Sequence, residues 1–379
     1  MGRTTRQVRV GNVLVGGGAP VSVQTMGNVD PHDAAACLRQ LTSCADLGCE
    51  IFRMTVPDAA AARVLGEVRK ASPVPIVADI HFDYRCALAA IEAGADALRL
   101  NPGNIGARDR VQAVARAAKE RGVPIRIGVN GGSLEKDLAL RAESGETPLP
   151  HLLCESALRH LKILEDEGFR DVVISAKASN VADTLAVYRE LAERTDCPLH
   201  LGVTEAGTLV PGTVRSSVAL GILLNEGIGD TIRVSLTNKP EKEVKVALEI
   251  LRSLGLRAPG PSITSCPTCG RTKVDLQRIA AQVEDALEIL YRDRLNRTIE
   301  QSEQSNNRTI RTIEQSNNLK FPRVAVMGCA VNGPGEARGA DVALCGGDGE
   351  FLLYVRGELV GKVGEEEAVG KVVEHVVSL

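Results

Sequence analysis

The chain has 379 residues, a formal charge of -3 and 44% hydrophobic residues, enough to bury more than one core and to form two or three domains. The near-neutral balance offers no basic face for nucleic acid, and aromatics at 2% with no Trp leave no surface for stacking bases. No apolar run approaches the ~20 residues that span a bilayer, and Met1-Gly2-Arg3-Thr4-Thr5-Arg6 lacks the apolar core of a signal peptide, so a cytoplasmic protein without a membrane partner is expected.

From Pro20 to about Ser235 one pattern recurs: a short β-branched run, a polar residue or two at its end, then an Ala/Leu-rich helical stretch that often closes with Gly. The predicted strands are Val21–Gln24, Ile51–Met54, Pro75–Ala78, Ala97–Leu100, Ile125–Val129, Asp171–Ile174, Leu199–Val203 and Thr231–Val234. Eight strands alternating with helices imply parallel βαβ units and an α/β fold of the closed (β/α)8 TIM type. An open doubly wound sheet is the alternative, but no G-x-G-x-x-G follows the first strand. Cys37, Cys44, Cys86 and Cys154 fall among Ala and Leu in the helical stretches and are expected to be reduced packing residues.

The strand ends carry the chemistry. Just past the last apolar residue stand Gln24, Arg53, Asp79 with His81, Arg99 with Asn101, Arg126 with Asn130, Ser175 with Lys177, Thr204 with Glu205, and Arg233 with Ser235. In a barrel all of them face the C-terminal mouth, where active sites are built. Four arginines and a lysine there make a cationic cup, and guanidinium forks suit phosphate oxygens, so the expected ligand is a compact phosphorylated or diphosphorylated molecule. A single Arg or Asn in such a place is more readily read as a solvated loop residue; recurrence in successive repeats favours a site. His81 is read as a substrate contact, with a core histidine as the alternative, whereas His200 inside its strand looks structural. Gly131-Gly132-Ser133 and Asn101-Pro102-Gly103-Asn104 are candidate amide nests for phosphate.

Beyond Thr237 the repeat stops. A helix opened by Pro240 ends at Gly255, and Pro259-Gly260-Pro261 marks a boundary, giving a barrel over 1–257 and a small α+β domain over 258–379. The second part begins with the C-x-x-C turn Cys266-Pro267-Thr268-Cys269, followed by a predicted helix from Lys273 to Arg292, strands near Arg323–Met327, Val342–Leu344, Phe351–Val355 and Leu359–Val363, and a helix from Glu365 to Val377. Between them Arg297-Thr298-Ile299-Glu300-Gln301-Ser302 repeats as Arg311-Thr312-Ile313-Glu314-Gln315-Ser316. This low-complexity insertion at about 296–318 is expected to be a mobile surface loop. Cys329 follows the apolar run Val324–Met327, and Glu336 stands seven residues on. Three thiolates and a carboxylate suit a catalytic iron–sulfur cluster with one non-thiolate position better than a closed structural zinc site. A lone C-x-x-C is nevertheless commonly zinc or a redox dithiol, and Cys345 is available as a fourth thiolate.

Six runs together resemble a known family: Val77–Arg85, Leu98–Gly106, Ile125–Asn130, Leu201–Gly207, Ser265–Arg271 and Met327–Glu336. They are similar to the bacterial two-domain 4-hydroxy-3-methylbut-2-enyl diphosphate synthases of the non-mevalonate isoprenoid pathway, and the likeness covers nearly the whole chain. The resemblance implies an iron–sulfur oxidoreductase that opens the ring of 2-C-methyl-D-erythritol 2,4-cyclodiphosphate and removes a hydroxyl with two electrons from flavodoxin or ferredoxin. It implies a 4Fe-4S cluster on Cys266, Cys269, Cys329 and the exchangeable ligand Glu336, diphosphate binding by Arg53, Arg99, Arg126, Asn130 and Lys177, and a head-to-tail homodimer. Glu205 is the expected proton donor for the departing hydroxyl, in a dry setting that raises its pKa. The chain departs from the family pattern in the repeat tract and in Met26-Gly27-Asn28, where Met-Thr-Asn is usual. Two other classes fit the residues: a barrel enzyme on a phosphorylated or pterin-like substrate with a structural zinc module, and an iron–sulfur regulator or electron carrier.

Overall fold

Each early repeat turns from strand to helix through a capping side chain. Asp33, Asp58 and Asp83 accept from the backbone N–H of Ala36, Ala61 and Arg85 at 2.9 Å, and Asn180 accepts from Asp183 at 2.8 Å. These caps satisfy N–H groups that a first helical turn leaves bare. The structure, a computed structural model, describes every residue except 1, 2, 82, 101–104, 106, 107, 258, 259, 262, 303–318 and 332. It divides into two units, Met1–Leu256 and Arg257–Leu379.

The first unit opens with an antiparallel hairpin, β1 (Val8–Val10) and β2 (Val13–Val15), absent from the expectations above. Its signal was present: Gly11-Asn12 between alternating valines is hairpin chemistry, and Gly11 has a φ of 57°. The eight barrel strands follow: β3 (Ser22–Met26), β4 (Ile51–Thr55), β5 (Ile76–Ile80), β6 (Ala97–Leu100), β7 (Ile125–Asn130), β8 (Val172–Lys177), β9 (His200–Leu201) and β10 (Thr231–Ile232). They pair in parallel in chain order, β10 returns to β3, and a bridge between Ile174 and Leu199 joins β8 to β9. The unit is thus a TIM-type barrel.

Alternation along each strand sends Phe52, Ala78, Leu98, Ile127 and Ile174 outward to the helices, and Arg53, Asp79, Arg99, Arg126 and Ser175 inward. Below these polar side chains Ile51, Val77, Ala97 and Val173 pack on the four hairpin valines, which stopper the barrel floor. Cys37, Cys44, Cys86 and Cys154 are buried on the helices, as expected of packing residues.

Several strand boundaries differ from the sequence reading. β8 runs on to Lys177, past the last consecutive apolar residue, because inward positions here are polar and do not end a strand. The ladders of β9 and β10 are only two residues long, so Thr204, Arg233 and Ser235 lie on the chain beyond them.

The second unit is a five-stranded mixed sheet in the order β11 (Ile263–Ser265), β12 (Val324–Met327), β13 (Val342–Gly346), β14 (Glu350–Val355) and β15 (Glu358–Gly364). The first three strands are parallel and the last two antiparallel. Leu276, Ile279, Val283 and Leu287 of one helix and Ala368, Val372 and Val376 of another bury one face of it. The first of these helices spans Leu276–Ser302 rather than ending near Arg292. Its Arg, Glu, Gln and Leu residues are good helix formers, so the opening of the repeat tract, 296–302, is helical and not loop; residues 303–318 lie outside the described residues. No described helix is long and apolar enough to cross a membrane.

Candidate active site

Register builds the site in the first unit. Asp79 pairs with Arg99 and Arg99 with Arg126, so three neighbouring strands present one inward row. This row, with Arg53, Lys177 and Arg233, lines a cavity of about 420 Å³ at the barrel mouth. His81, Asn130, Ser175, Thr204 and Ser235 line it too, so eleven of the strand-end residues singled out above share one cavity. Gln24 lines instead a separate space of about 20 Å³ near the floor, beside His200 and Thr231. Asn101 and the turn it begins lie outside the described residues.

The cup holds five cations and few anions. Asp79, 1% exposed, is 3.2 Å from Arg99 and 3.7 Å from Arg53 and from His81. Burial works to raise its carboxyl, but Arg53, Arg99, His81 and Arg126 outweigh that and hold it below the ordinary carboxylate range. Glu243, at 3% exposure, receives Arg233 at 3.2 and 3.3 Å, Thr25 at 2.7 Å and the Leu236 backbone at 2.9 Å. Met26 offers its sulfur to Arg53 and Arg233.

Arg126 is the exception: it is buried, and none of its three guanidinium nitrogens has a hydrogen-bond partner among the described residues. Burial, then Arg53 and Arg99, push its pKa well below the usual value. Lys177 is pushed down by burial and by Arg233, Arg53, Arg126 and Arg99, and burial takes Arg53 to about 10. Desolvated cations in mutual repulsion are costly, and an anion in the cavity relieves that cost. His200, wholly buried beneath them, is held neutral by burial and by Arg126 and Lys177.

Glu205 stands just past β9, exposed and outside the lining of this cavity, so the dry setting expected for it is not present. Its φ of 52° is left-handed, a conformation costly for a residue with a Cβ and often met at functional sites.

The thiols lie in the second unit. Cys266 directly follows β11, and Gly328-Cys329 directly follow its parallel neighbour β12, so strand pairing brings these two positions to one end of the sheet. The Cys266 sulfur accepts the Gly328 N–H at 3.2 Å. Gly328 has no room for a side chain: a Cβ there would meet Thr272 Oγ1 at 2.8 Å. Cys269 is exposed on a turn whose carbonyl accepts the Thr272 N–H at 2.9 Å, and the Arg271 backbone N–H and side chain pull its thiol below the ordinary range. The N–H donors and cation beside Cys269 favour its thiolate, and the donor set fits a sulfur-ligated metal centre. Among the described residues no three Cys, His, Asp or Glu side chains form a ready metal-binding group. Glu336 ends a short helix, Gly333–Glu336, and its side chain is outside those described. Cys345 is fully buried on β13 among Ala325, Met327, Ala337 and Ala343.

Comparison with known proteins decides the lineage. A model described as the GcpE TIM-barrel domain matches residues 5–248, and one described as the GcpE protein C-terminal domain matches residues 262–378. The chain belongs to the GcpE family. Among GcpE relatives, a 4-hydroxy-3-methylbut-2-en-1-yl diphosphate synthase (flavodoxin) of Maridesulfovibrio salexigens is 52% identical over 365 residues, covering 96% of this chain and 93% of that protein. The protein of that name from Geobacter sulfurreducens is 50% identical over 372 residues, covering 98% and 97%. At this identity and coverage the GcpE chain is an enzyme of the oxidoreductase class.

Met26 and Glu243 were not among the site residues expected from sequence. Glu243 sits in Pro240-Glu241-Lys242-Glu243, which looks like the solvated first turn of a helix. Only its burial against Arg233 shows otherwise.

Proposed function

We propose that this GcpE chain converts 2-C-methyl-D-erythritol 2,4-cyclodiphosphate to 4-hydroxy-3-methylbut-2-enyl diphosphate by reductive ring opening and dehydration. The observation that carries the reading is the buried Arg126, without a hydrogen-bond partner among the described residues, within a five-cation cup, in a chain about half identical to enzymes bearing that product's name. Arg53, Arg99, Arg126, Lys177 and Arg233 bind the two phosphate groups, and Asn130, Ser175, Thr204 and Ser235 orient them. Fixed cations aimed at a leaving diphosphate stabilise the charge that grows on it as the ring C–O bond breaks. Asp79 and His81 hold the arginine forks and the near edge of the ligand. Glu205 donates the proton that leaves with the hydroxyl as water.

Cys266, Cys269, Cys329 and Glu336 would hold a 4Fe-4S cluster. That group supplies two electrons one at a time, which no side chain can. Reduced flavodoxin or ferredoxin is the donor, in keeping with the relatives' names, and the working form is a head-to-tail homodimer. Protein purified without oxygen should contain iron and acid-labile sulfide and turn over the cyclic diphosphate with a chemical reductant. Colourless protein containing zinc would instead support a structural module beside a redox-inactive barrel. Iron without turnover would support a carrier or regulator.

A further inference from the structure

The inner wall of the barrel carries a glycine where a strand would ordinarily carry a side chain, and a cation lies over it. Gly128 is in the middle of β7, flanked by the outward residues Ile127 and Val129, and its φ is not in the left-handed region. Backbone freedom therefore does not require glycine there, and glycine weakens a strand interior. Space does require it. A Cβ at this position would stand 2.8 Å from both Cζ and Nη2 of Arg99 and closer still to Nε.

Arg99 reaches over β7 at Gly128. Its Nη2 donates to the Gly128 carbonyl at 3.4 Å and its Nη1 to Asp79 at 3.2 Å. We propose that Gly128 is a positioning residue: its bare Cα is the bed on which the Arg99 guanidinium rests, and it sets the direction from which that fork meets a phosphate. The proposal rests on the reading of the cup as a diphosphate site.

The atoms that a methyl would meet belong to the end of a flexible side chain, so the barrel can accept alanine by moving Arg99 alone. Gly202 is the instructive contrast. A Cβ there would stand 2.8 Å from Lys177 Nζ but also 2.7 Å from the backbone carbonyl of Arg233, so alanine at 202 strains the strand as well as the cation. Gly128 separates site from scaffold and Gly202 does not.

The test is a double-mutant cycle read by calorimetric binding of inorganic pyrophosphate to anaerobically prepared holoenzyme. Arg99→Ala should weaken binding about tenfold or more, the scale of a lost hydrogen bond to a charged group. Gly128→Ala should weaken it to a similar degree while the melting temperature stays near wild type. Adding Gly128→Ala to Arg99→Ala should change the affinity by no more than about twofold, since the methyl then has nothing to displace. Wild-type affinity in Gly128→Ala, or fully additive losses in the double variant, overturns the proposal. Unchanged affinity in Arg99→Ala overturns the diphosphate reading beneath it. If the single Gly128→Ala chain fails to fold, the double variant reads the same contact: it should fold and melt with Arg99→Ala alone, and a double variant that also fails to fold counts against the proposal.

Discussion

In the barrel the charged side chains stand on strands, just beyond a strand end or on a buried helical turn, and hold one another in place: Asp79 receives Arg99, Glu243 receives Arg233, and Gly128 leaves room for the first of these forks. In the C-terminal unit the thiols of Cys266, Cys269 and Cys329 stand on turns beyond strand ends, and among the described residues they form no ready three-ligand group. The difference follows from what each must bind. A phosphate ligand needs donors fixed before it arrives, because reorganising buried charges is slow to repay in binding. A metal centre supplies its own geometry, and ligand loops gain their order from it.

The largest expected effect tests the second half of that contrast. Serine at Cys266, Cys269 or Cys329 should remove iron and acid-labile sulfide and reduce turnover to background, whereas serine at the buried Cys37 or Cys154 should leave the iron content unchanged. Equal iron in both sets would mean that the turns do not carry the centre.

Glu205→Gln separates chemistry from assembly. Iron content and pyrophosphate affinity should hold while kcat falls by about 10²–10⁴, the usual contribution of a positioned acid. A variant with wild-type kcat removes Glu205 from the reaction.

Arg126→Met sharpens the claim that the cup is strained without an anion. Pyrophosphate should bind about ten- to a hundredfold more weakly, in line with one or two charge-assisted hydrogen bonds. The melting temperature of the ligand-free protein should rise, because a desolvated cation with no partner among the described residues has been replaced by an apolar chain of similar reach. A lower melting temperature would show that Arg126 stabilises the empty barrel.

The smallest effect is a slope. His200 is held neutral in the folded barrel, its pKa well below the unfolded value. Its contribution to stability is therefore complete above the unfolded histidine pKa of about 6.5 and is lost as pH falls from there towards the folded value, by at most about 1.4 kcal/mol per pH unit. In His200→Asn, urea midpoints taken between pH 7 and pH 5 should decline less steeply than in wild type. Parallel declines would place the acid sensitivity elsewhere.

Much of the barrel was legible because its rhythm is local. Each β-branched run and each Ala/Leu helix announces itself over a few residues, and the polar residue at each strand end repeats with them. What escaped was whatever depends on a distant partner. Val8–Val15 had a turn signal but no place in the repeat, and its role as the floor exists only against Ile51 and Val173. Glu243 resembled a solvated helix residue until Arg233 was beside it. The long helix ran past Arg292 because helix propensity carries it on beyond the buried residues Leu276 to Leu287 that pack it.

Residue order alone determined the alternation of strands and helices, the division near residue 257 and the kinds of side chain available to each half, since period, caps and composition act over short stretches. Tertiary structure alone decided which way those side chains face and how they are solvated. Closing the ring sets Asp79, Arg99 and Arg126 in one buried row and leaves one guanidinium without a partner among the described residues. Electrostatic strain of that kind depends on distance and burial in space, which no local pattern encodes.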